Sequence, residues 1–350
     1  MTDFVLTGAD PHMMLSHLAL CGLAAIAEEE GLRDVRLSWT PGMGARPVLS
    51  AVNATAETIG AAVQRHAARL DDAGSWLNRQ LSDTEKRALM SPRISVIADI
   101  DGWRSLQDRR HDVLDQLTGA RAILDLRLIA ALGEPSYWRR NHKGDRLQDD
   151  GASRMEMQPR NQGSEFVGNR LRPLAAAVAA RTPALISDGL RGHNIRDEIG
   201  KDDTQSRTPT GLADPGPTDN ALAWCALWGI SQLPIALRRD DFARTTAHLG
   251  RGTAGYFALP VWSGRWRSAR YRSVAASAHL TRFVESGLTP GGVVRPAGPN
   301  GVTAVGTAAR EWLAARGVTG VVRFEVRRFG SASAPERRAA RGAILKTGRS

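Results

Sequence analysis

Cysteine, lysine and long apolar runs are all scarce in this chain, and each scarcity removes a class of protein. Cys21 and Cys225 are the only cysteines among 350 residues, and both sit inside apolar helical patterns. That excludes a disulfide framework and a thiolate zinc cluster, and it reads as two small buried hydrophobes in a reducing compartment. No apolar run reaches the roughly 18 residues that a membrane span requires. Asp3 and Asp10 precede the first apolar segment and His17 interrupts it, so no secretory leader is read there and a soluble, cytoplasmic protein is expected. Lysine occurs only at Lys86, Lys143, Lys201 and Lys346, the remaining basic residues being arginine.

Familiar catalytic signatures are missing too. There is no H-E-x-x-H, no paired C-x-x-C, no P-loop and no G-x-S-x-G. The run from Gly250 to Gly255 fits G-x-G-x-x-G literally, but a polar stretch precedes it and a strand follows. Phosphate binding needs the opposite order, strand then helix, so this is read as a flexible turn. His111-Asp112 is the adjacent pair that metal-dependent phosphohydrolases of the HD class use as ligands. Such sites need further ligands from other helices. His66, His142 and Asp99 are the nominees, and nothing in their spacing supports them. With Arg109 and Arg110 beside it, the pair reads as a solvated helix face. His12 and His17 are five apart and do not share a helix face. No metal or other cofactor is expected.

What the chain does have is positive charge. A net charge of +11 favours an anionic partner such as nucleic acid, although an Arg-, Ala- and Gly-rich composition also follows from a GC-rich genome. The length accommodates two lobes, and an α+β fold is expected. The boundaries read as an N-terminal lobe over 1–148, a C-terminal lobe over 149–330 and a loose basic tail over 331–350.

In the first lobe, Asp10-Pro11 predicts a helix N-cap and N1 for a helix ending near Glu30. Val35 to Trp39 and Arg46 to Ser50 form a hairpin, and a helix covers Ala54 to Leu70. Trp76 to Met90 and Trp103 to Leu132 read as mostly helical, with a short apolar piece, Ile94 to Ile97, between them. In the second lobe, Ser153, Met155 and Met157 alternate with polar residues before a helix over Glu165 to Arg181. The polar tract from Gly192 to Asp219 is too long for an idle loop, and it is expected to be exposed until a partner orders it. Asp219 caps a helix to Ser231; strands follow at Leu233 to Leu237, Tyr256 to Trp262 and Val318 to Arg327, with helices over Ser268 to Glu285 and Thr303 to Arg316.

Ala19-Leu20-Cys21-Gly22-Leu23 and Ala226-Leu227-Trp228-Gly229-Ile230 look alike, and each lies in a helix leading to a strand. They read as a duplicated helix–strand unit, one per lobe, or as the coincidence of two apolar helices. A glycine within a helix costs about 1 kcal/mol relative to alanine, so both predict close packing against a neighbouring backbone.

Two arginine groups carry the functional reading. Arg154, Arg160, Arg170 and Arg172 stand among Asn161, Gln162 and Asn169, a mixture suited to phosphates and base edges. Arg265, Arg267, Arg270 and Arg272 alternate with Trp262, Trp266 and Tyr271. That alternation suits a backbone clamp in which Trp266 or Tyr271 stacks a base. The competing reading makes Trp262 and Trp266 core, with the arginines lying past them. Tyr137-Trp138-Arg139-Arg140 repeats the texture on a smaller scale, and Arg337, Arg338, Arg341, Lys346 and Arg349 make the tail a cationic arm.

Asp10-Pro11-His12 leading into LALCGLAAI, the segment EMQPRNQGSEFVGNRL, and DNALAWCALWGISQLPI followed by RWRSARYRS resemble subunits of type I-G (formerly I-U) CRISPR loci, in the actinobacterial branch. There they accompany the signature helicase–nuclease as an additional subunit or extension. The resemblance implies antiviral defence, association with other effector subunits and a guide-RNA complex, and it is compatible with ferredoxin-like units. It carries over no catalytic residue. The expectation is a non-catalytic subunit binding RNA or single-stranded DNA. A metal-dependent phosphodiesterase around His111 and a protein-docking scaffold are the alternatives; divalent-metal-dependent cleavage lost in His111→Ala would favour the first of these.

Overall fold

The computed structural model describes residues 1–42, 44–82, 87–92, 97, 99–133, 139–140, 146–147, 153–155, 157, 166–206, 210–236, 244–250, 255–286, 304–330 and 335–348. Over these residues the chain is mixed α+β, with ten α-helices, a three-stranded and a five-stranded antiparallel sheet, and two short ribbons. No helix among them is long and apolar enough to cross a membrane.

Strand β1 (Thr2–Val5) leads into α1 (Met14–Glu29), and β2 (Arg36–Trp39) and β3 (Pro47–Ala51) follow as the predicted hairpin. The sheet order is β1-β3-β2, with Leu49 facing Phe4 on one side and Leu37 on the other. With α1 as crossover, this is a split β–α–β arrangement. The start of α1 departs from expectation. Asp10 accepts from the His12 amide (2.8 Å) and the Met13 amide bonds the Asp10 carbonyl, so residues 10–13 form a turn and the helix begins uncapped at Met14. A short carboxylate bonds its own i+2 amide readily, and here that turn wins over the cap.

Helix α2 (Ala56–Asp71) opens on a capping box between Thr55 and Thr58. Trp76–Asn78 is one 3₁₀ turn, and Gln80 then bridges Ala88, so among the described residues of 76–90 no helix continues beyond that turn. Residues 94–96 lie outside the described ones. Helices α3 (Ile100–Gly119) and α4 (Ile123–Leu132) follow, then the ribbon β4 (Arg139–Arg140) with β5 (Arg146–Leu147). Ser153, Met155 and Met157 are all buried as their alternation predicts, in a turn rather than a strand. A π-helical turn (Val167–Leu171) enters α5 (Arg172–Ala179), and α6 (Pro183–Arg191) and α7 (Asn220–Gly229) complete the helical layer.

The two look-alike helices, α1 and α7, pack on each other. A Cβ at Gly22 would collide with the Cys225 carbonyl oxygen and lie 2.5 Å from the Gly229 nitrogen; one at Gly229 would collide with the Leu18 carbonyl oxygen and lie 2.9 Å from Leu18 Cα. Both glycines therefore sit where the backbones of α1 and α7 cross, Gly22 against Cys225 and Gly229 and Gly229 against Leu18. The duplicated ferredoxin-like unit is not seen among the described residues: α7 continues as a 3₁₀ turn (Ile230–Gln232) into β6 (Ile235–Ala236), which pairs there only with β7 (Arg244–Thr245).

The polar tract after α6 is exposed at most of its described residues, as expected, but it is anchored to the protein through a few buried side chains. Asp197, fully buried, accepts from the Gly200 amide (2.8 Å), the Ser206 hydroxyl (2.6 Å) and the Asn220 side-chain amide (3.0 Å). Further on, the Leu212 carbonyl accepts from Leu15 and the Gly211 carbonyl from Ala339. These bonds satisfy the buried Asp197 carboxylate within the chain and tie the tract to it. Residues 207–209 of the tract lie outside the described ones.

The second sheet holds β8 (His248–Leu249), β9 (Gly255–Trp262), β10 (Val318–Gly330), β11 (Pro335–Ala339) and β12 (Ala343–Lys346). Its order is β11-β10-β9-β8, with β12 also on β10. Between β9 and β10 come α8 (Ser268–Ala275), α9 (Ala278–Ser286) and α10 (Ala304–Ala314), so the single helix predicted over 268–285 is two. The basic tail is a correction as well. From Pro335 to Lys346 it is sheet, with Arg337, Ala339 and Leu345 buried. The buried apolar side chains form one cluster running from Phe4 to Leu345.

Candidate functional site

Trp262 ends β9, and the next five residues carry the chain to α8. The segment is fixed because Trp266 exchanges both backbone hydrogen bonds with Leu37 of β2, at 2.7 and 2.8 Å. Trp266 and Tyr271 are each only 1% exposed, and Trp266 stacks on Trp262 at 4.6 Å. Neither ring offers a face to a nucleobase, because packing has already used the surface that stacking would need. Arg265 binds Asp3 (2.9 Å), Arg267 binds Asp34 (3.0 Å), Arg270 donates to the Arg316 carbonyl (2.7 Å), and Arg272 donates to Gln232 (2.6 Å). The rings are core and the arginines lie around them, the second of the two arrangements read from sequence. The Arg265 and Arg267 side chains remain 47% and 65% exposed, and such surface pairs are worth at most about 1 kcal/mol, so phosphate competes for them readily.

The other arginine group is dispersed into the fold. Arg170 is buried with its guanidinium over the Phe166 ring, Arg172 donates to the Leu77 carbonyl (2.8 Å), and Arg154 is half-buried with its amide on Thr245. Arg160 and the Tyr137-Trp138 pair lie outside the described residues. His111 and Asp112 are exposed on α3, and among the described residues no cluster of three or more His, Cys, Asp or Glu side chains forms.

A different place gathers charge and aromatic surface. A cleft of about 920 Å³ lies between the 10–12 turn, the 40–46 hairpin turn, the end of β9 and the returning β12. Trp39 and Trp262 line it, with Asp10, His12, Arg46, Arg341 and Lys346 among its polar side chains. The third wall exists because β12 is tied back to the start of the chain. Gly342 donates to the His12 carbonyl (2.8 Å), and His12 Nδ1 donates to the Gly342 carbonyl (2.8 Å). Arg341 pairs with Asp10 at 2.6 Å. Burial works against the Asp10 carboxylate, but the His12 amide and the Arg341 guanidinium outweigh it and hold the carboxyl below its usual range. The one carboxylate lining the cleft is thus engaged, while Arg46 and Lys346 are in no ion pair among the described residues. The arrangement leaves two cationic side chains beside the cleft without a carboxylate partner among the described residues. Its residues come from sequence positions 10 to 346. In the sequence, Arg341 and Lys346 stand only as parts of a tail read as loose, and nothing there joins them to residues 10–12.

Under the floor lies His17. Its Nε2 donates to the Pro11 carbonyl (2.7 Å), and its ring meets Trp39 at 4.7 Å and Phe324 at 5.3 Å. Burial pushes the His17 imidazole down to about 4, and burial likewise holds His66, beneath Trp224 and Trp228, well below its usual value. An unfolded chain binds these protons near pH 6.5, whereas the folded protein does not. Stability is therefore complete above about pH 6.5 and falls as the pH drops toward 4. Between pH 7 and 5 His17 alone should remove about 2 kcal/mol, read as a lower urea midpoint; a midpoint unchanged over that interval would contradict the neutral, buried ring.

Comparison with known proteins adds no relative: no family model, no curated protein and no solved structure matches this chain.

Proposed function

We propose that the chain binds nucleic acid without cleaving it, holding single-stranded RNA or DNA by its phosphates in the cleft, as a subunit of a type I CRISPR effector in antiviral defence. The observation that carries the reading is the imbalance of charge around an aromatic floor. Arg46, Arg341 and Lys346 face one carboxylate, which Arg341 already occupies. Trp39 and Trp262 are themselves buried, so the cations of the cleft suit the phosphates of a strand rather than its bases. The exposed Arg265 and Arg267 follow directly on Gly264 at the cleft margin and extend the positive surface along α8. The CRISPR setting is supported by the resemblance of the three segments quoted above and by the net charge of +11.

Salt dependence tests the site. On a single strand, every phosphate that the protein ceases to neutralise flattens the slope of log K against log salt by about 0.7. Arg46→Ala with Lys346→Ala should therefore flatten it by about 1.4 and weaken binding to all sequences alike. The pair Arg267→Ala and Arg270→Ala reports whether the strand continues over α8. An unaltered affinity and slope in the first double variant would remove the cleft as the binding surface. Co-purification with the helicase–nuclease and backbone subunits from a host carrying a repeat array tests the setting separately.

A further inference from the structure

We propose that the exposed end of the β10–β11 hairpin is a second contact for a single strand, where Phe329 stacks a base and Arg327 and Arg338 hold the neighbouring phosphates. The inference rests on the chain binding nucleic acid, and it adds a site apart from the cleft.

Strand β10 reaches both places. Thr319 and Gly320 line the cleft, and Phe329 lies nine residues beyond Gly320. At about 3.3 Å per residue the two are about 30 Å apart. Strand β9 ends its pairing at Gly255, opposite Val326. From Arg327 onward β10 pairs only with β11 among the described residues, so this end of the hairpin is two-stranded.

The register decides what that end presents. Arg327 stands directly opposite Arg338, and Arg328 directly opposite Arg337. Like charges facing each other across a ladder destabilise it, and an anion between them turns the repulsion into attraction. Arg327 and Phe329 are two apart and share a face, which Arg338 joins through its place opposite Arg327. The Arg338 guanidinium lies 4.9 Å from the centre of the Phe329 ring. That ring is 45% exposed, and Arg327 is exposed with no ion pair among the described residues. Glu325, on the same face, is taken by Arg323 at 3.5 Å. Glu336, opposite Phe329 in the register, is the one acidic residue against four arginines between Val326 and Ala339.

Charge alone has a simpler reading, because charged side chains on an edge strand also keep other chains from pairing there. Phe329 argues against it, since a large apolar ring left half exposed on an edge hairpin invites association. An acidic protein surface answers the arginines without using the ring. A nucleic-acid strand supplies an anion and a flat ring at every residue, and the contact is then independent of sequence.

The full-length protein is titrated with a single-stranded uridine RNA, long enough to span both sites, at several salt concentrations. Phe329→Leu keeps an apolar side chain and removes the flat face. It should bind about tenfold more weakly with the salt slope unchanged. Arg327→Ala should flatten the slope by about 0.7 and keep at least the parent melting temperature, because it relieves a like-charge pair. Glu336→Gln removes a negative charge from the hairpin and should tighten binding, most at low salt. Parent-like affinity and slope in Phe329→Leu and Arg327→Ala overturns the proposal, whatever the cleft variants show. The same result with loss of a co-purifying acidic subunit assigns the face to a protein and also overturns it. A loss confined to Arg327→Ala overturns the stacking of a base on Phe329. Losses in both hairpin variants, with the Arg46→Ala and Lys346→Ala variant unaltered, support the hairpin and remove the cleft. No binding by the parent protein overturns both.

Discussion

Gly22→Ala is expected to destabilise the protein by roughly 4 kcal/mol or more, although it adds only one methyl group. Elsewhere, an exchange of glycine for alanine within a helix helps by up to about 1 kcal/mol. At Gly22 the new carbon meets backbone atoms of Cys225 and Gly229, and backbone has no rotamer by which to yield. Helices α1 and α7 must separate, and the tryptophans of α7, fully buried, lose packing with them. Gly229→Ala should cost a similar amount through the Leu18 carbonyl. The two changes share one crossing, so the double variant should cost less than their sum. Gly119→Ala is the control, since a Cβ there meets nothing within 4 Å among the described residues. Urea denaturation measures all four proteins. A Gly22→Ala variant within 1 kcal/mol of the parent would mean that the helices do not cross at this point.

Asp219→Ala should cost about 3 kcal/mol, by taking from Arg181 the buried one of its two carboxylates and from α7 its cap. Arg181 is 4% exposed and Asp219 1%, and they meet at 2.9 Å. The same guanidinium binds Glu198 (2.6 Å), and Asp219 also accepts from the amides of Ala221 (2.9 Å), Leu222 (3.2 Å) and Arg196 (3.2 Å). Burial pushes the Asp219 carboxyl up, and Arg181 with these amides opposes that shift. Removing the carboxylate thus leaves the buried guanidinium with only the half-exposed Glu198 as counter-charge, uncaps α7 and frees the 192–219 tract from one of its anchors. Replacing both partners, Arg181→Met with Asp219→Leu, should recover much of the loss, because neither variant side chain then carries a buried charge. If the double variant is as unstable as the two single ones added together, the pair is not a mutually compensating unit.

Periodicity and turn chemistry carried the readable part of the fold. The 36–51 hairpin follows from alternating apolar residues around a Pro-Gly turn, and Asp219 caps α7 as its position before an apolar run predicts. The glycines of α1 and α7 announced a close backbone contact, though not that they meet each other. The anchoring of the tract 192–219 was not legible because it comes from hydrogen bonds to Asp197 and Asp219, which leave no trace in hydropathy. The tail was misread for a related reason. Its strands bury Ala339 and Leu345 between arginines, too few apolar positions to outweigh the charge. The cleft was the least legible of all, since it joins a turn near residue 10, a turn near residue 45 and a strand near residue 345. Whether Trp266 stacks a base or packs in the core stayed open, because an exposed aromatic and a core aromatic are indistinguishable in a sequence until a second strand covers one of them.

The tie between β12 and the 10–12 turn also bears on how the protein is made. Residues emerge from the ribosome in order, and elements fold as their partners become available. The β1-β3-β2 sheet has all its strands by residue 51, and the α1–α7 crossing has both helices by residue 229. The cleft has neither Arg341 nor Lys346 until residues 341–346 have been translated. A nascent chain can therefore build much of its core before the cleft gains these two cations.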